Sequence, residues 1–297
     1  MTDTRTPSPS PSPSMQGKTV LLTGATQGIG RAAAREIARH GPTLVLVSRD
    51  PDRGRRTVEE VKSESGNARV ELLVADLSRQ SGVRGLAHDF LAAHDRLHVL
   101  VNNAGAIFAS RELTADGVEH TFALNHLAYF LLTKELLPVL QSSAPARIVN
   151  VASAAHFRGQ VDFDDLQGER GYFSFRAYSQ SKLCNVLFTY ELARRLEGTR
   201  VTANCLHPGF VRSGFGRNRP GLLNTAVAIA AAVAAITPEK GAQTLIHLAT
   251  AGDVEGVTGK YFFQNRARHS SRASQNEATA KRLWELSEKL VGSPGPT

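Results

Sequence analysis

The sequence predicts a single α/β domain, a doubly wound parallel sheet of about seven strands with helices on both faces. Short runs of β-branched and aliphatic residues alternate with segments of helical periodicity, and no linker composition divides the 297 residues. With 41% hydrophobic and 21% charged residues, the chain has the composition of an ordinary globular domain. We therefore expect one domain over residues 15–297 after a disordered tail over residues 1–14, where Pro and Ser alternate.

The predicted strands are short apolar runs with the length and composition of buried parallel strands. Six follow one another along the chain and a seventh lies near its end: Lys18–Leu22, Thr43–Val47, Val70–Val74, His98–Val101, Arg147–Val151, Val201–Cys205 and Lys260–Phe263. After the first strand, Ile29, Ala33 and Ile37 repeat at the spacing of one helical face. We also predict an Ala-rich helix over Ala226–Ile236 and a last helix from about Asn276 to Leu290.

Charge and hydropathy narrow the classes of partner. The formal charge of +8 suggests an acidic partner, but no basic run is interleaved with aromatic residues, so we expect no nucleic acid. Arg266, Arg268 and Arg272 are interpreted as a solvated basic face. The longest apolar run, Ala226–Ile236, is well short of the ~20 residues that span a bilayer. We expect no membrane span and a cytoplasmic location.

A glycine-rich turn follows the first predicted strand and opens a helix. Gly24 permits a tight turn, Gly28 lets a pyrophosphate approach the backbone, and Gly30 allows close packing of helix on strand. The helix then directs free N–H groups at the anion. Although the spacing is G-x-x-x-G-x-G rather than G-x-G-x-x-G, its place between strand and helix predicts a dinucleotide-binding Rossmann fold. The expected contacts are Gly24, Thr26, Gln27, Gly28, Ile29 and Gly30.

The end of the second strand indicates which dinucleotide binds. Ser48 and Arg49 follow that strand, where an NAD site usually places a carboxylate for the ribose 2′-OH. The Arg49 guanidinium instead suits a 2′-phosphate, so we predict NADP(H). Asp50 leaves an alternative open, because NAD would compete if its carboxylate turned inward.

With these motifs in their order, the chain resembles the short-chain dehydrogenase/reductase family from about Gly17 to Leu290. The resemblance implies adenine contacts after the third strand, cofactor-lining residues after the fourth and carboxamide contacts after the sixth. It also assigns Tyr178 and Lys182 to the cofactor site. The remaining implied cofactor-binding residues are Asp76, Leu77, Asn103, Ala104, Gly105, Pro208, Gly209, Val211 and Ser213.

Four residues at family positions carry the expected chemistry. Tyr178 and Lys182 are four apart on a predicted helix and so share a face. A nearby ammonium lowers the pKa of a phenol, which lets Tyr178 exchange a proton near neutral pH. The resemblance implies that Ser153 donates a hydrogen bond to the substrate oxygen. It also implies that Lys182 holds the nicotinamide ribose and that Asn125 holds a water of a proton relay.

Three histidines lie near these motifs, but we predict no metal site. His126, His156 and His207 have no carboxylate that would complete a ligand set, and the expected reaction needs no metal. His156, three residues past Ser153, either lines the substrate pocket or is a hydrogen-bonded loop histidine.

A narrower resemblance points to the retinol dehydrogenase-like branch, which includes WW-domain oxidoreductases. It rests on residues 125–133, 181–188 and 237–242. The branch mostly uses NADP(H). Ser213 stands where the family often has Thr, and it keeps the hydroxyl. Family members often dimerise through the helices that carry Asn125 and Tyr178, so a homodimer is a candidate assembly.

The substrate pocket is expected to form from Ala154–Phe175, Phe210–Arg217 and Leu222–Ile236, whose aromatic residues favour a small lipophilic carbonyl or alcohol unless they belong to the core. The leading function is an NADP(H)-dependent oxidoreductase that acts on a lipophilic aldehyde, ketone or alcohol. Two alternatives stay open. One is a reductase of a ring C=C bond, as in protochlorophyllide reductases; the other is a non-catalytic NADP-sensing protein, which would typically lack the tyrosine or the lysine.

Overall fold

A computed structural model describes residues 14–209 and 236–292. Its eight strands are β1 (Thr19–Thr23), β2 (Thr43–Ser48), β3 (Val70–Val74), β4 (Val99–Asn102), β5 (Ala146–Val151), β6 (Val201–Leu206), β7 (Tyr261–Phe263) and β8 (Arg266–Arg268). They form one sheet in the order β3-β2-β1-β4-β5-β6-β7-β8, parallel except for β8. The order reverses between β1 and β4, and ligands of such sheets bind at the carboxyl ends of the strands beside that reversal.

Helices cover both faces of the sheet. They are α1 (Gly28–Arg39), α2 (Pro51–Ser65), α3 (Gln80–Ala93), α4 (His120–Phe122), α5 (Ala128–Ser142), α6 (Ser174–Arg195), α7 (Pro238–Thr250) and α8 (Glu277–Val291). A π-helical turn, Ala123–Leu127, joins α4 to α5. Successive residues of β1 enter opposite cores: Leu21 packs in the cluster with α3, α5, α6 and α8, whereas Val20 and Leu22 pack in the cluster with α1, α2 and α7.

The predicted fold class is confirmed, and each predicted strand agrees with an observed one to within one residue at either end. The prediction of about seven strands missed β8. A two-residue turn, Gln264 and Asn265 with φ of 51° and 59°, folds β8 back onto β7. Arg266 and Arg268, interpreted above as a solvated basic face, are exposed on this edge strand, where charged side chains discourage pairing with other chains. Of the predicted Ala-rich helix, only Ile236 lies within the described residues.

The last helix covers the outer face of α5 and α6. The Trp284 ring lies 4.9 Å from Phe130 and 5.8 Å from Phe188, between ring centroids. The Arg195 guanidinium stands 4.3 Å from the Trp284 ring centroid, within the range of a cation–π contact. The apolar residues on α5, α6 and the π-helical turn that a homodimer would use are already buried within one chain: Leu127, Phe130, Leu131, Val186 and Phe188. Within the described ranges we find no candidate transmembrane helix.

Candidate active site

The turn after β1 packs directly against the segment after β4. A Cβ added at Gly24, which has φ of 67°, would lie 2.7 Å from the Ala104 Cα atom. A Cβ added at Gly30 would lie 2.1 Å from the Gly24 carbonyl oxygen and 2.6 Å from Asn103 Nδ2. Asn103 Nδ2 donates to the carbonyl oxygens of Thr23 (2.9 Å) and Gly24 (3.0 Å). The predicted turn is therefore one rigid unit that admits no side chain at Gly24 or Gly30.

Among the described residues, no side chain caps the backbone donors in the first turn of α1. Gln27 occupies the N-cap position without a capping hydrogen bond, and no acidic residue lies in the first turn. Helix α2 differs, because the Asp50 carboxylate caps its first amides. Uncapped amides at a helix N-terminus suit a phosphate, and Gly28, with φ of 53°, leaves the approach free of a side chain. Thr26 and Ile29 lie in the same turn, half-buried.

Ser48, which ends β2, and the two residues after it differ in which of their side chains are already hydrogen-bonded. Ser48 is buried and its hydroxyl donates to the Asp50 carbonyl oxygen at 2.8 Å. Asp50 Oδ1 accepts from the amides of Asp52 and Arg53, each at 3.0 Å. The hydrogen bond from the Arg53 amide holds the Asp50 pKa below its usual value. Arg49 is exposed, so it is the side chain of this corner that remains available to a ligand.

Asn125 lies in the π-helical turn between α4 and α5. The Ala128 amide donates to the Ala123 carbonyl oxygen five residues back, and such wide turns recur at functional sites. The Asn125 side chain is fully buried. Its Oδ1 accepts from the Ala106 amide at 2.8 Å, and its Nδ2 donates to the Ala106 carbonyl oxygen and to Ser181 Oγ at 2.9 and 3.0 Å. This network fixes the amide beside Gly105.

Ser153 and Tyr178 are hydrogen-bonded to each other. Ser153 caps the 3-10 turn Ala154–Arg158, where its Oγ accepts from the Ala155 amide at 3.1 Å. Close packing brings this turn onto α6, because a Cβ added at Gly159 would lie 2.5 Å from the Ser179 carbonyl oxygen. Tyr178 lies near the start of α6 and is half-buried.

Lys182, one turn further along α6, faces the same space. Its side chain is only 3% exposed, and Nζ donates to the Val151 carbonyl oxygen at 2.9 Å and stands 5.8 Å from the centroid of the Tyr178 ring. Burial lowers the Lys182 pKa to about 7. Burial also raises the Tyr178 pKa, against the lowering effect of the Ser153 hydrogen bond. The expected lowering of the Tyr178 pKa by the ammonium is therefore not found in this structure, where desolvation is the largest cause of the shift in both groups.

The other predicted cofactor residues occupy the same edge of the sheet. Gly105 keeps space open in front of two groups, since an added Cβ would lie 3.0 Å from Asn125 Oδ1 and 3.5 Å from Lys182 Nζ. After β3, Asp76 accepts from the Ser78 amide and hydroxyl, at 3.0 and 2.7 Å, next to buried Leu77. Pro208 and Gly209 follow β6, whereas Val211 and Ser213 lie outside the described residues. The open turn, the uncapped helix and this glycine-lined space fit a dinucleotide.

Two residues that contribute to the site were not predicted from the sequence. The Thr23 hydroxyl accepts from the amides of Asn103 (2.9 Å) and Ala104 (3.1 Å) and so joins the two cofactor loops. The Tyr129 ring, 2% exposed, lies 5.6 Å from Lys182 Nζ. Thr23 directly precedes Gly24, so the glycine motif could have indicated its role. The contact of Tyr129 depends on how α5 packs against α6, which no local pattern reveals.

Comparison with known proteins decides the family. The short chain dehydrogenase family model matches residues 18–220. The chain belongs to this family. Retinol dehydrogenase 12 from Mus musculus is 44% identical over 276 residues, 93% of this chain and 87% of the relative. Retinol dehydrogenase 14 from Homo sapiens is 42% identical over 293 residues, 94% and 87% of the two chains. This short-chain dehydrogenase is thus retinol dehydrogenase-like, as its motifs indicated, and is an oxidoreductase acting on CH–OH donors.

Solved structures agree with this assignment. A crystal structure of a protein from Mycobacterium paratuberculosis has a TM-score of 0.75 and 32% identity, with 95% and 96% of the two chains covered. The Pseudomonas aeruginosa RhlG/NADP active-site complex has a TM-score of 0.65 and 27% identity, with 84% of this chain and 95% of that one covered. The family uses NAD(P) cofactors, and the fold of this chain matches a member that was solved with one.

The buried ammonium of Lys182 predicts a pH-dependent stability. Between pH about 7, the folded pKa, and ~10.4, the unfolded pKa, the folded chain holds fewer protons than the unfolded chain. The free energy of unfolding then rises with pH through this window, by up to ~1.4 kcal/mol per pH unit from this group, and the contribution is lost as pH falls. Lys182→Met should abolish this slope. As the pH falls from 9 to 6, the wild type loses this contribution and the variant does not, so the variant becomes more stable relative to wild type.

Urea unfolding without added cofactor, at pH 6, 7.5 and 9, measures this difference. Exposed Lys134→Met is the control for loss of a charge, and its difference from wild type should stay constant. A Lys182→Met difference that is equally constant would contradict a buried, titrating ammonium.

Proposed function

We propose that this short-chain dehydrogenase is NADP(H)-dependent, interconverts lipophilic aldehydes or ketones with their alcohols, and uses Tyr178 as the general acid and base. The observation that carries the proposal is the juxtaposition of hydrogen-bonded Ser153 and Tyr178 with buried Lys182 at the carboxyl edge of the sheet, behind the open glycine turn. Both residues that a non-catalytic sensor would typically lack are present and close together.

Arg49 supports the choice of NADP(H). It is exposed, and the competing carboxylate of Asp50 is committed to capping α2 through two backbone hydrogen bonds. An inward turn of Asp50, as an NAD site would need, requires both bonds to break. The guanidinium is then free to pair with a 2′-phosphate by charge-assisted hydrogen bonds.

Arg49→Ala should reduce kcat/KM for NADPH by about tenfold to a hundredfold, in line with ~1.5–3 kcal/mol for hydrogen bonds to charged groups, and leave kcat/KM for NADH nearly unchanged. Steady-state rates with both cofactors measure the ratio. Arg55→Ala removes an exposed arginine that pairs with Asp52 on α2 and is the matched control. Equal losses with both cofactors would argue against Arg49 as the specificity residue.

In reduction, Tyr178 donates its proton to the carbonyl oxygen of the substrate as negative charge develops there. Its raised pKa keeps the phenol protonated at neutral pH, the form that this step needs. The Ser153 Oγ–H donates a second hydrogen bond to the same oxygen and orients it. The nicotinamide, when bound, supplies the hydride.

Lys182 and Asn125 act from behind Tyr178. The Lys182 ammonium, fixed by the Val151 carbonyl oxygen, would hold the nicotinamide ribose and stabilise a phenolate after proton transfer. Asn125 is hydrogen-bonded both to Ser181 on α6 and to the Ala106 carbonyl oxygen, next to Gly105. It therefore links α6 to the loop beside Lys182. We assign to Asn125 the role of holding the water molecule through which a proton returns from solvent to the site.

Two aromatic residues beside the site favour a lipophilic substrate. Phe157, in the 3-10 turn after Ser153, is 55% exposed, and Phe173, at the N-cap of α6, is 65% exposed. Tyr172 is not available in the same way, because its hydroxyl is hydrogen-bonded to Thr121 and Glu119. Large exposed aromatic side chains beside a site suit apolar ligands, and relatives at 42–44% identity are retinol dehydrogenases.

A panel of aldehydes, ketones and alcohols of graded chain length, followed at the nicotinamide absorbance with NADPH or NADP⁺, tests the proposal. We expect kcat/KM to rise with the apolar surface of the substrate. For every substrate that turns over, kcat/KM measured with NADPH should exceed kcat/KM measured with NADH. Binding of NADPH without turnover of any panel member would overturn the proposal in favour of a sensor.

A further inference from the structure

His156 uses both ring nitrogens, although the proposed reaction assigns it no step. It is fully buried in the 3-10 turn three residues after Ser153. Its Nδ1 lies 2.7 Å from the Ser153 carbonyl oxygen, and its Nε2 lies 3.1 Å from the Ser271 amide nitrogen, 115 residues away in sequence.

These two partners determine the proton on the ring. A carbonyl oxygen only accepts and a backbone amide only donates, so Nδ1 carries the hydrogen and Nε2 is the acceptor. Burial favours this neutral imidazole by lowering the His156 pKa. The ring therefore has one orientation and one tautomer in which both bonds form.

The fixed His156 ring in turn holds the backbone of Ser153. Its carbonyl oxygen accepts from the His156 ring and, at 3.1 Å, from the His156 amide. Its hydroxyl oxygen accepts from the Ala155 amide at 3.1 Å. With the backbone and the hydroxyl oxygen both held, the hydroxyl proton is left to point into the site, towards Tyr178 and the substrate oxygen that both side chains would contact.

We propose that His156 is a positioning residue that ties Ser153 to the C-terminal segment at Ser271 and thereby sets the direction of the Ser153 hydroxyl. The inference rests on the proposed function, since it concerns the same Ser153–Tyr178 pair. Ser271 caps the 3-10 turn Arg272–Gln275 ahead of α8. It lies beyond residues 18–220, which match the family model, so the family motifs do not contain this tie.

Two substitutions at Ser271 separate the effect of its amide from that of its hydroxyl. Ser271 has φ of −62°, which proline adopts without strain, and proline has no N–H. Ser271→Pro removes the hydrogen bond to His156 and the hydroxyl cap of Ser274, whereas Ser271→Ala removes the cap alone. Relative to Ser271→Ala, we expect Ser271→Pro to lower kcat about tenfold, because small misplacements of catalytic groups cost up to ~10²-fold. KM for NADPH should not change.

Variants of the ring test the other bond and do not depend on how well Ser271→Pro folds. His156→Asn keeps an amide donor near the Nδ1 position, whereas His156→Gln places its amide near Nε2. We expect His156→Asn to retain several-fold more kcat than His156→Gln. His98→Gln is the matched control: His98 is also buried and bonded to a backbone amide, that of Thr19, but it lies at the opposite edge of the sheet.

The proposal is overturned if Ser271→Pro equals Ser271→Ala in kcat, or if His98→Gln loses as much kcat as His156→Gln at equal stability in urea. Nitrogen-15 spectra of the histidine rings give a readout without turnover. We expect His156 in the Nδ1–H tautomer, with its Nε2 resonance moved in Ser271→Pro and not in Ser271→Ala. A wild-type enzyme without turnover would refute the proposed function, whereas an Nε2–H tautomer would refute the tie itself.

Discussion

Replacement of Tyr178 by Phe should reduce kcat by about 10²–10⁴-fold, the usual contribution of a positioned general acid. The change deletes one hydroxyl and keeps the ring that lies 5.8 Å from Lys182 Nζ. NADPH should therefore still bind with an affinity within a few-fold of wild type. Stopped-flow or steady-state turnover with the best panel substrate, combined with fluorescence titration of NADPH, separates the two effects.

Tyr190→Phe is the matched control on the same helix. The Tyr190 hydroxyl is bonded to Ser270 Oγ at 2.7 Å, so its loss should cost about 1 kcal/mol of stability and leave turnover near wild type. If Tyr178→Phe retains wild-type kcat, Tyr178 is not the acid and the proposed mechanism fails. If both variants lose turnover equally, the effect is one of folding.

Gly30→Ala should both destabilise the fold and weaken NADPH binding. The added methyl group would lie 2.1 Å from the Gly24 carbonyl oxygen, and the nearby Asn103 amide is held by two backbone carbonyls. Neither neighbour can move without opening the turn, so we expect a loss of at least ~1–3 kcal/mol in the free energy of unfolding. NADPH affinity should fall more than tenfold, as measured by titration under conditions where the variant is folded.

Gly85→Ala tests whether steric fit is the cause. Gly85 lies within α3, and a Cβ there would meet no atom within 4 Å. Alanine at a compatible helical site should raise stability by about 0.5–1 kcal/mol and leave cofactor binding unchanged. A Gly30→Ala variant that unfolds and binds NADPH like Gly85→Ala would contradict the packing of the turn described above.

The elements that depend only on local sequence were predicted correctly. β1 to β7 were placed to within one residue because buried parallel strands are short runs of β-branched and aliphatic residues. β8 was missed because Arg266–Arg268 contains only one small apolar residue, Ala267, between two arginines, and the strand is held by pairing with β7. The π-helical turn at Asn125 was not predicted because a single turn of five residues is too short to establish an apolar periodicity of its own.

The candidate site divides in the same way. The motifs placed Tyr178 and Lys182 on one helical face, and both do lie there. No motif could reveal contacts between residues that are far apart in sequence. Examples are the packing of Tyr129 on Lys182 and the hydrogen bond from the Ser271 amide to His156. The direction of the Tyr178 pKa was also beyond reach, because it depends on how far two groups are buried and not on their spacing.

Because Trp284 belongs to the same chain as α5 and α6, the face that it covers is buried by an intramolecular contact that does not depend on protein concentration. Covering that face with a second copy would depend on protein concentration by mass action, so a dilute sample would expose Phe130 and Phe188. Here α8 is covalently attached, and its effective concentration at the face is set by the chain that precedes it, not by how much protein is present. The same attachment means that a cut ahead of Glu277 would convert a constant contact into a dissociable one.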